Sequence, residues 1–216
     1  PNDMGFDSYF GAHYSNDMKP FALFANREVA VPAPADQTRL TERYTQAATA
    51  FVEQHANTPF FLYFAHNFPH DPLAVPEARS GKSKAGLYGD VLEQLDESVG
   101  EIVAALERTG RLDNTLIMIS SDNGPWFLGD AGNLRGRKGN TFEGGMRVPF
   151  IAHWPAAIVP GRTEQAMAMG IDLFPTVLEI LQLPPPPDRL VDGPCVGVCV
   201  QPFGLPIAPD RLRCEP

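Results

Sequence analysis

Residues 115–125 read TLIMISSDNGP, an apolar run of strand length that ends in a turn sequence. Four of its first five residues are apolar and the run carries no charge before Asp122. A continuous apolar run of this kind is typical of a strand covered on both faces in a parallel sheet. The following Asp-Asn-Gly-Pro favours a tight turn. We therefore predict a buried strand at 115–120 that presents Asp122 and Asn123 at its carboxyl end.

A second apolar run and a long helix precede this strand. Residues 60–65 read FFLYFA and predict another buried strand. Between the two runs, apolar residues from Tyr88 to Leu106 fall on one helical stripe, and Gly110 provides a stop signal. Strand, helix and strand together predict a βαβ unit with a right-handed crossover.

The rest of the chain continues the alternation of helices and strands. Helical spacing of apolar residues predicts a helix over 40–55, and an apolar run predicts a strand over 148–154. A second helix is predicted over 172–183, with Asp172 as its N-cap. Residues 1–36 show no sustained period and predict irregular surface structure. This order predicts an α/β sandwich around a largely parallel sheet, in which ligands bind beyond the carboxyl ends of the strands.

Composition excludes several classes of protein. The 216 residues carry 17 basic and 26 acidic side chains, a net charge of −9, which argues against a nucleic-acid partner. No apolar run approaches the ~20 residues that span a bilayer, so we expect no transmembrane segment. The three cysteines lie in the last 22 residues and form neither a disulfide framework nor a zinc site. The start at Pro1 without a signal peptide leads us to expect missing upstream sequence.

Two groups of polar residues follow the predicted strands. Asp122 and Asn123 pair a carboxylate with an amide oxygen, which are hard ligands suited to Ca²⁺ or Mg²⁺, although Asp-Asn-Gly alone also serves simply as a turn. His66 and His70 lie in the loop after residues 60–65. Either imidazole is suited to proton transfer near neutral pH, or it bonds only to local backbone.

A cationic loop completes the candidate site. Residues 134–145 read LRGRKGNTFEGG and place Arg135, Arg137 and Lys138 within four positions of an acidic chain. Flanking glycines allow the backbone to approach a ligand, which predicts an anion cradle; the alternative is a solvated basic loop. A divalent-metal half-site, an acid/base group and an anion clamp in one region are suited to attack on a sulfate or phosphate ester.

Several ordered blocks resemble the type I sulfatases, close to the arylsulfatase A and steroid sulfatase branch. They include PHDPL at 69–73, GDVLEQLD at 89–96, SDNGP at 121–125 and KGNTFEGGMRVP at 138–149. Further blocks lie at residues 5–11, 14–18, 59–63, 113–116, 134–135 and 172–176. The resemblance implies a sulfatase/alkaline-phosphatase-like fold and the hydrolysis of a small-molecule or glycan sulfate ester.

The same resemblance implies roles for four residues. Asp122 and Asn123 would be the second pair of Ca²⁺ ligands, His70 would act as an acid beside the ester oxygen, and Lys138 would contact the sulfate and the leaving group. His66 matches a less constrained position and is left out of this set. The resemblance also implies a secreted, periplasmic or lysosomal location.

The sequence departs from the family pattern at two places. The family nucleophile is a formylglycine made from a Cys-x-Pro-x-Arg motif, and Cys195, Cys199 and Cys214 all lack that context. We therefore expect the nucleophile upstream and expect no turnover from this chain alone. The match ends near residue 193, so we predict a catalytic-domain portion at 1–193 and an irregular tail at 194–216, derived from an altered reading frame or splice.

Three other interpretations stay open from the sequence. The parent protein could be a phosphoesterase of the alkaline phosphatase superfamily. The chain could also be a truncated binding or regulatory module without catalysis. A third interpretation is that the chain does not fold stably alone, because a sheet that lacks strands exposes its edges and apolar surface.

Overall fold

Residues 1–188 and 190–193 are described by a computed structural model and fall into two units. The first unit comprises Pro1–Leu112 and Asp122–Val148, and the second comprises Asp113–Ser121 and the chain from Pro149 onward. The predicted tail at 194–216, with all three cysteines, lies outside the described residues. The predicted boundary at residue 193 therefore stays a prediction.

Two long helices form the framework of the first unit. Helix α1 spans Leu40–Gln54 and helix α2 spans Gly86–Arg108, in agreement with both helical predictions. Apolar side chains recur every fourth residue along α1, and this periodicity forms one buried stripe. The stripe consists of Leu40, Tyr44, Ala48 and Val52. Beyond α2, Gly110 adopts a left-handed conformation (φ 66°), which confirms the predicted stop.

A buried pair of hydroxyl groups joins the two helices. Thr45 Oγ1 and Ser98 Oγ lie 2.6 Å apart, and both residues are buried. Thr45 also donates to the carbonyl of Thr41 at 2.7 Å, so the Ser98 hydroxyl donates to Thr45. The polar contact between α1 and α2 is therefore fully hydrogen-bonded, as burial requires.

The amino-terminal residues fold into a small sheet, so the prediction of irregular structure over 1–36 is wrong there. Strands β1 (Phe10–Gly11), β2 (Leu23–Ala25) and β3 (Glu28–Val31) pair antiparallel in that order. Strands of two to four residues are too short to show a period in the sequence. Leu23 of β2 is completely buried and packs in one core cluster with Leu40 and Tyr44 of α1 and Val91 of α2.

Residues 60–65 do not form the predicted strand buried on both faces. The segment belongs to no hydrogen-bonded strand in the described chain, and its burial alternates from one residue to the next. Phe61 and Tyr63 are 66% and 69% exposed, whereas Leu62 and Phe64 are half-buried. The apolar run correctly indicated an extended segment. Whether that segment pairs as a strand depends on a neighbouring strand, which composition does not reveal.

The second unit contains strands β4 (Ile117–Ser120) and β5 (Phe150–His153), both of which the sequence predicted. They pair antiparallel, with Ile117 opposite His153 and Ser120 opposite Phe150. Every strand pairing among the described residues is antiparallel, so the predicted parallel pairing of a βαβ unit is absent from them. β4 is half-buried to exposed rather than covered on both faces.

Two shorter helices complete the described chain. Helix α3 spans Glu143–Met146 in the first unit, and helix α4 spans Leu173–Ile180 in the second. Asp172 occupies the N-cap position of α4, as predicted, but its side chain makes no capping bond to the helix. Its Oδ2 accepts a 2.7 Å hydrogen bond from the amide of Met169 in the preceding turn. The helix ends three residues before the predicted Leu183. Within the described residues, no helix combines the length and apolar character needed to cross a membrane.

Candidate functional site

The loop that carries His70 is anchored to α1. The Tyr44 hydroxyl donates a 2.6 Å hydrogen bond to Asn67 Oδ1. Phe68 is buried in the core cluster, and its backbone amide donates to His66 Nδ1 at 2.9 Å. The side chains of Tyr44, His66 and Phe68 therefore hold the loop from residue 66 to residue 70 in place.

His70 has a defined tautomer. Its Nδ1 lies 2.6 Å from the carbonyl oxygen of Asp71. A carbonyl oxygen only accepts, so Nδ1 carries the proton and donates. Nε2 is then the ring nitrogen that exchanges a proton with a ligand, which suits the predicted acid role.

A segment near the amino terminus lies beside His70. Asn16 is 2% exposed, and its Nδ2 donates to Gln37 Oε1 and to the carbonyl of Pro72, both at 3.0 Å. These bonds hold residues 15–17 against the His70 loop. Ser15 Oγ consequently lies 3.4 Å from His70 Nδ1.

The Asp17 carboxylate lies within electrostatic range of both His70 and Lys138. A hydrogen bond from Ser15 is the largest cause that lowers the pKa of the Asp17 carboxyl, and the charges of His70 and Lys138 lower this pKa further. His70 and Lys138 therefore both lie within electrostatic range of one exposed carboxylate. Two of the four predicted site residues thus act electrostatically on one carboxylate that the sequence reasoning did not select.

The sequence reasoning missed Ser15, Asn16 and Asp17 as site residues. They lie inside the block at 14–18 that resembles the sulfatases, and that block was their only signal in the sequence. Their proximity to His70 arises across 55 residues, so local spacing could not reveal it.

Backbone hydrogen bonds join the turn after β4 to the cationic loop. The Lys138 amide donates to the carbonyl of Pro125 at 2.9 Å, and the Gly124 amide donates to the carbonyl of Gly145 at 2.9 Å. The Gly144 amide also donates to the carbonyl of Arg135 at 2.8 Å. Lys138 is thereby fixed next to the turn that holds Asp122 and Asn123.

Glycine is required where these segments cross. A Cβ atom at Gly124 would overlap the carbonyl of Gly144, and one at Gly144 would overlap the carbonyl of Gly136. A Cβ at Gly145 would overlap the carbonyl of Asn140. The sequence predicted that these glycines allow the backbone to come close to a ligand. In the structure they allow two segments of the loop to come close to each other.

The three cations of the loop occupy different surroundings. The guanidinium of Arg135 lies 3.8 Å from the ring centroid of Phe142, and that of Arg137 lies 4.4 Å from the ring centroid of Phe127. Such cation–π contacts stabilise the positions of both guanidinium groups, of which Arg135 is exposed and Arg137 is half-buried. Lys138 is half-buried. The loop is therefore ordered by aromatic and backbone contacts rather than being a loosely solvated run of charge.

Asp122 and Asn123 fit part of a calcium site. Asp122 is exposed and Asn123 is half-buried, and their side chains offer adjacent oxygen ligands of the kind that Ca²⁺ prefers. Ca²⁺ takes about six to eight oxygen ligands. Among the described residues, no group of three or more His, Cys, Asp or Glu side chains is placed to hold a metal ion. The pair can thus contribute to such a site without completing it.

His66 is half-buried and packs beside the core. Burial lowers its pKa to about 4, and its ring packs edge-on against Tyr44 with centroids 5.2 Å apart. Because Nδ1 accepts from the Phe68 amide, Nε2 carries the proton, and this buried N–H has no hydrogen-bond partner among the described residues. A neutral, half-buried imidazole of this kind supports the loop rather than the chemistry.

Comparisons with known proteins agree with the fold. The family profile described as Sulfatase matches residues 2–183. N-acetylgalactosamine-6-sulfatase of Mus musculus is 36% identical over 216 residues, covering 89% of this chain and 42% of that protein. Steryl-sulfatase of Homo sapiens is 34% identical over 191 residues, covering 84% of this chain and 32% of that protein. The chain thus spans less than half the length of these relatives.

A solved structure described under the metabolism of multiple glycosaminoglycans by Bacteroides thetaiotaomicron superposes with a TM-score of 0.83. It is 26% identical, and the match covers 89% of this chain and 55% of that one. The mixed helix and strand content and this likeness confirm the predicted α/β, sulfatase-like fold class. The family generally implies Ca²⁺ and formylglycine. From its sequence match and its fold, the chain belongs to the sulfatase family.

Proposed function

We propose that this chain supplies the sulfate-binding and acid side of a sulfatase active site, and that the longer protein hydrolyses a sulfate ester to an alcohol and sulfate. The observation that carries the proposal is the hydrogen bond from the Lys138 amide to the Pro125 carbonyl. This bond holds the backbone of Lys138 next to the turn that carries Asp122 and Asn123. A metal ion and a lysine at one place suit a sulfate group, which is anionic throughout the reaction.

Each residue has a separate role in this proposal. The ammonium group of Lys138 binds the sulfate oxygens and offsets their charge. Imidazolium at His70 gives its Nε2 proton to the ester oxygen as the bond from sulfur to that oxygen breaks, so the alcohol leaves neutral. Asp71 keeps the proton on Nδ1 and so directs Nε2 to the ligand. Bound Ca²⁺, held in part by Asp122 and Asn123, would polarise the sulfate as a Lewis acid.

We assign no nucleophile to this chain and therefore expect it to bind a sulfate ester without hydrolysing it. The relatives bear the names N-acetylgalactosamine-6-sulfatase and steryl-sulfatase. By likeness to them, the substrate class of the longer protein is a sulfate monoester of a sugar or a sterol.

Calorimetric titration of the purified chain with an aryl sulfate in the presence of CaCl₂ tests the proposal, with alcohol release measured in parallel. We expect binding that Lys138→Ala weakens about tenfold or more, because it removes a charge-assisted contact. The matched control Lys84→Ala removes an exposed lysine of the same unit and should leave binding unchanged.

Three outcomes would contradict this account. Equal binding by the chain and by Lys138→Ala would remove the assigned sulfate contact. Tighter binding of the corresponding aryl phosphate would favour the phosphoesterase interpretation. Alcohol release well above that of Lys138→Ala would show that the chain alone contains a working nucleophile.

A further inference from the structure

An exposed aromatic segment follows the turn that holds Asp122 and Asn123. Trp126 is 52% exposed and Phe127 is 67% exposed, and Leu128 beside them is also exposed. Large apolar side chains grouped in this way cost free energy in water and commonly mark a binding surface. The residue before Trp126 is Pro125, the hydrogen-bond partner of the Lys138 amide. The aromatic segment therefore begins directly beside the proposed sulfate-binding lysine.

The aromatic rings are held in one arrangement. The Trp126 and Phe127 rings meet edge to face, with centroids 4.6 Å apart and an interplanar angle of 81°. Arg137 covers Phe127, with its Cζ 4.4 Å from the ring centroid. The chain turns back at once, since the Gly129 amide donates to the Trp126 carbonyl at 3.2 Å. A ring surface ordered before binding loses little conformational entropy when a ligand docks.

The segment is also seated on α2. A Cβ atom at Gly129 would lie 2.8 Å from the hydroxyl oxygen of Tyr88, so the backbone of the turn packs directly against this side chain. Tyr88 lies in the first turn of α2, which belongs to the same unit as the turn. Helix α2 thus packs against the turn that follows the aromatic residues.

A shallow cavity of about 170 Å³ lies between Pro125 and Arg137. Its lining is mainly polar and includes Asp130 and Leu134. Asp130 Oδ1 accepts a 2.8 Å bond from the Gly132 amide, which orders this carboxylate. The cavity therefore offers hydrogen-bond acceptors from Asp130 and donors from Arg137. Neither ring lines the cavity itself, and the guanidinium of Arg137, which covers Phe127, connects the cavity with the aromatic segment.

This combination fits a saccharide better than a sterol. A sugar ring presents C–H groups that stack on an aromatic face and hydroxyls that need both donors and acceptors. A sterol needs an apolar groove, whereas this cavity is lined mainly by polar atoms. In a chain of net charge −9, the cations Arg135, Arg137 and Lys138 concentrate positive charge here, which complements a glycan with more than one anionic group.

We propose that Trp126, Phe127, Asp130 and Arg137 form a subsite for a neighbouring sugar of an anionic glycan, beside the lysine that binds the sulfate ester. The proposal rests on the proposed function, because the subsite selects the substrate of that same site. Trp126 supplies the stacking face, Asp130 accepts from sugar hydroxyls, and Arg137 binds a second sulfate or carboxylate.

Calorimetry with three probes tests this subsite in the intact chain. The probes are a galactosamine 6-sulfate-containing hexasaccharide, the steroid estrone sulfate and the small ester p-nitrophenyl sulfate, each with CaCl₂ present. We expect Trp126→Ala to weaken hexasaccharide binding about tenfold or more, in line with the ~1–3 kcal/mol that stacking on an aromatic side chain contributes to nucleobase binding. Binding of p-nitrophenyl sulfate should change less than about twofold. Met146→Ala, which removes another exposed apolar side chain of the first unit, should change neither affinity.

Fluorescence locates the bound sugar. The chain contains two tryptophans, Trp126 and Trp154. In a Trp154→Phe background the tryptophan emission comes from Trp126 alone. The hexasaccharide should shift the emission maximum with the dissociation constant found by calorimetry. Addition of p-nitrophenyl sulfate should leave the emission maximum unchanged.

The outcomes separate this proposal from the proposed function. Unchanged hexasaccharide affinity in Trp126→Ala overturns the subsite while small-ester binding still supports the sulfate site. If Trp126→Ala weakens the binding of estrone sulfate alone, the assignment of the subsite to a saccharide is wrong. If Trp126→Ala weakens the binding of all three probes equally, the subsite does not select a neighbouring sugar. Failure of the unaltered chain to bind p-nitrophenyl sulfate contradicts the proposed function instead.

Discussion

The backbone amide of Lys138 donates a 2.9 Å hydrogen bond to the carbonyl of Pro125, two residues beyond Asn123. The bond connects the backbone of a cationic residue to the turn that carries Asp122 and Asn123, and it does not depend on the lysine side chain. Substitutions at Lys138 therefore remove charge without removing the connection. Loss of function after Lys138→Ala can accordingly be assigned to the ammonium group rather than to misfolding of the loop.

The glycine crossing that supports this bond gives a first prediction. Gly144→Ala places a Cβ atom against the carbonyl of Gly136, and neither backbone segment can yield without breaking loop hydrogen bonds. We expect a loss of aryl sulfate binding of about tenfold or more, while urea unfolding of the α1–α2 core changes little. Gly100→Ala is the control, because its Cβ meets nothing within 4 Å and lies in the interior of α2.

The control variant Gly100→Ala should itself be more stable than the unaltered chain. Replacement of a helix-interior glycine by alanine stabilises by about 0.5–1 kcal/mol, so Gly100→Ala should unfold at higher urea concentration and bind aryl sulfate normally. Normal sulfate binding by Gly144→Ala would mean that close packing of the loop is not needed for the site.

Asp17 gives a prediction of opposite direction. Its carboxylate lies within electrostatic range of His70 and Lys138, where a bound sulfate would be repelled by it. Asp17→Asn keeps an oxygen for the Ser15 hydroxyl and removes the charge. We expect inorganic sulfate to bind about two- to fivefold more tightly at low ionic strength, with the gain reduced by added NaCl. Asp7→Asn, an exposed carboxylate in the same unit, serves as control; weaker binding by Asp17→Asn would contradict the placement.

His66 makes stability depend on pH. Its pKa falls from 6.5 to about 4 because burial disfavours the imidazolium ion. Above pH 6.5 the imidazole is neutral in both states and the stability is complete. Between pH 6.5 and about 4 the unfolded chain binds a proton that the folded chain excludes, so the free energy of unfolding falls by on the order of 3 kcal/mol.

Urea unfolding at several pH values measures this dependence. His66→Asn keeps an acceptor for the Phe68 amide but cannot titrate, so its unfolding midpoint should fall less over this range than that of the unaltered chain. Asn in place of the exposed His153 is the control. Parallel pH profiles for the unaltered chain and His66→Asn would show that His66 is not excluded from protonation.

Asp90 provides a stability prediction at acidic pH. The residue is 2% exposed, and its carboxylate accepts from the amides of Ser83, Gly81 and Lys82 at 2.7, 2.8 and 3.0 Å. The bond from Ser83 is the largest cause that lowers its pKa. The resulting stability is present above the ordinary carboxyl pKa and is lost as pH falls through the lowered pKa.

Asp90→Asn points an amide toward backbone donors, so we expect a lower urea midpoint at pH 7 than in the unaltered chain. The difference should shrink as pH falls through the lowered pKa of Asp90. Asp96→Asn, exposed on the same helix, should have little effect. Equal midpoints for Asp90→Asn and Asp96→Asn would show that the three amide bonds do not stabilise the fold.

The helices were predictable because each has a periodic apolar face. Leu40, Tyr44, Ala48 and Val52 recur at a spacing that only a helix buries together, and α1 follows that spacing to within one residue at its end. The strands at 117–120 and 150–153 were also found from their apolar runs. Their antiparallel pairing was not, because apolar content describes the faces of a strand and not the direction of its neighbour.

The candidate site could be proposed from the sequence only in its local parts. Glycines, cations and the Asp-Asn pair lie close in sequence, so spacing alone indicated the loop and the turn. The role of Asn16 was hidden, since its bonds to Gln37 and Pro72 join residues 21 and 56 positions apart. The unpaired segment at 60–65 was hidden for a related reason: a strand needs a partner, and partners are set by tertiary structure.

The most direct test of the central claim is an NMR titration of the isotope-labelled chain with sodium sulfate in the presence of CaCl₂. The side-chain nitrogens His70 Nε2 and Lys138 Nζ are followed together. If both groups face one bound anion, their signals shift with a single dissociation constant, and His70 Nδ1 stays protonated throughout. Shifts with two different constants, or a response from only one of the two side chains, would contradict a shared sulfate site.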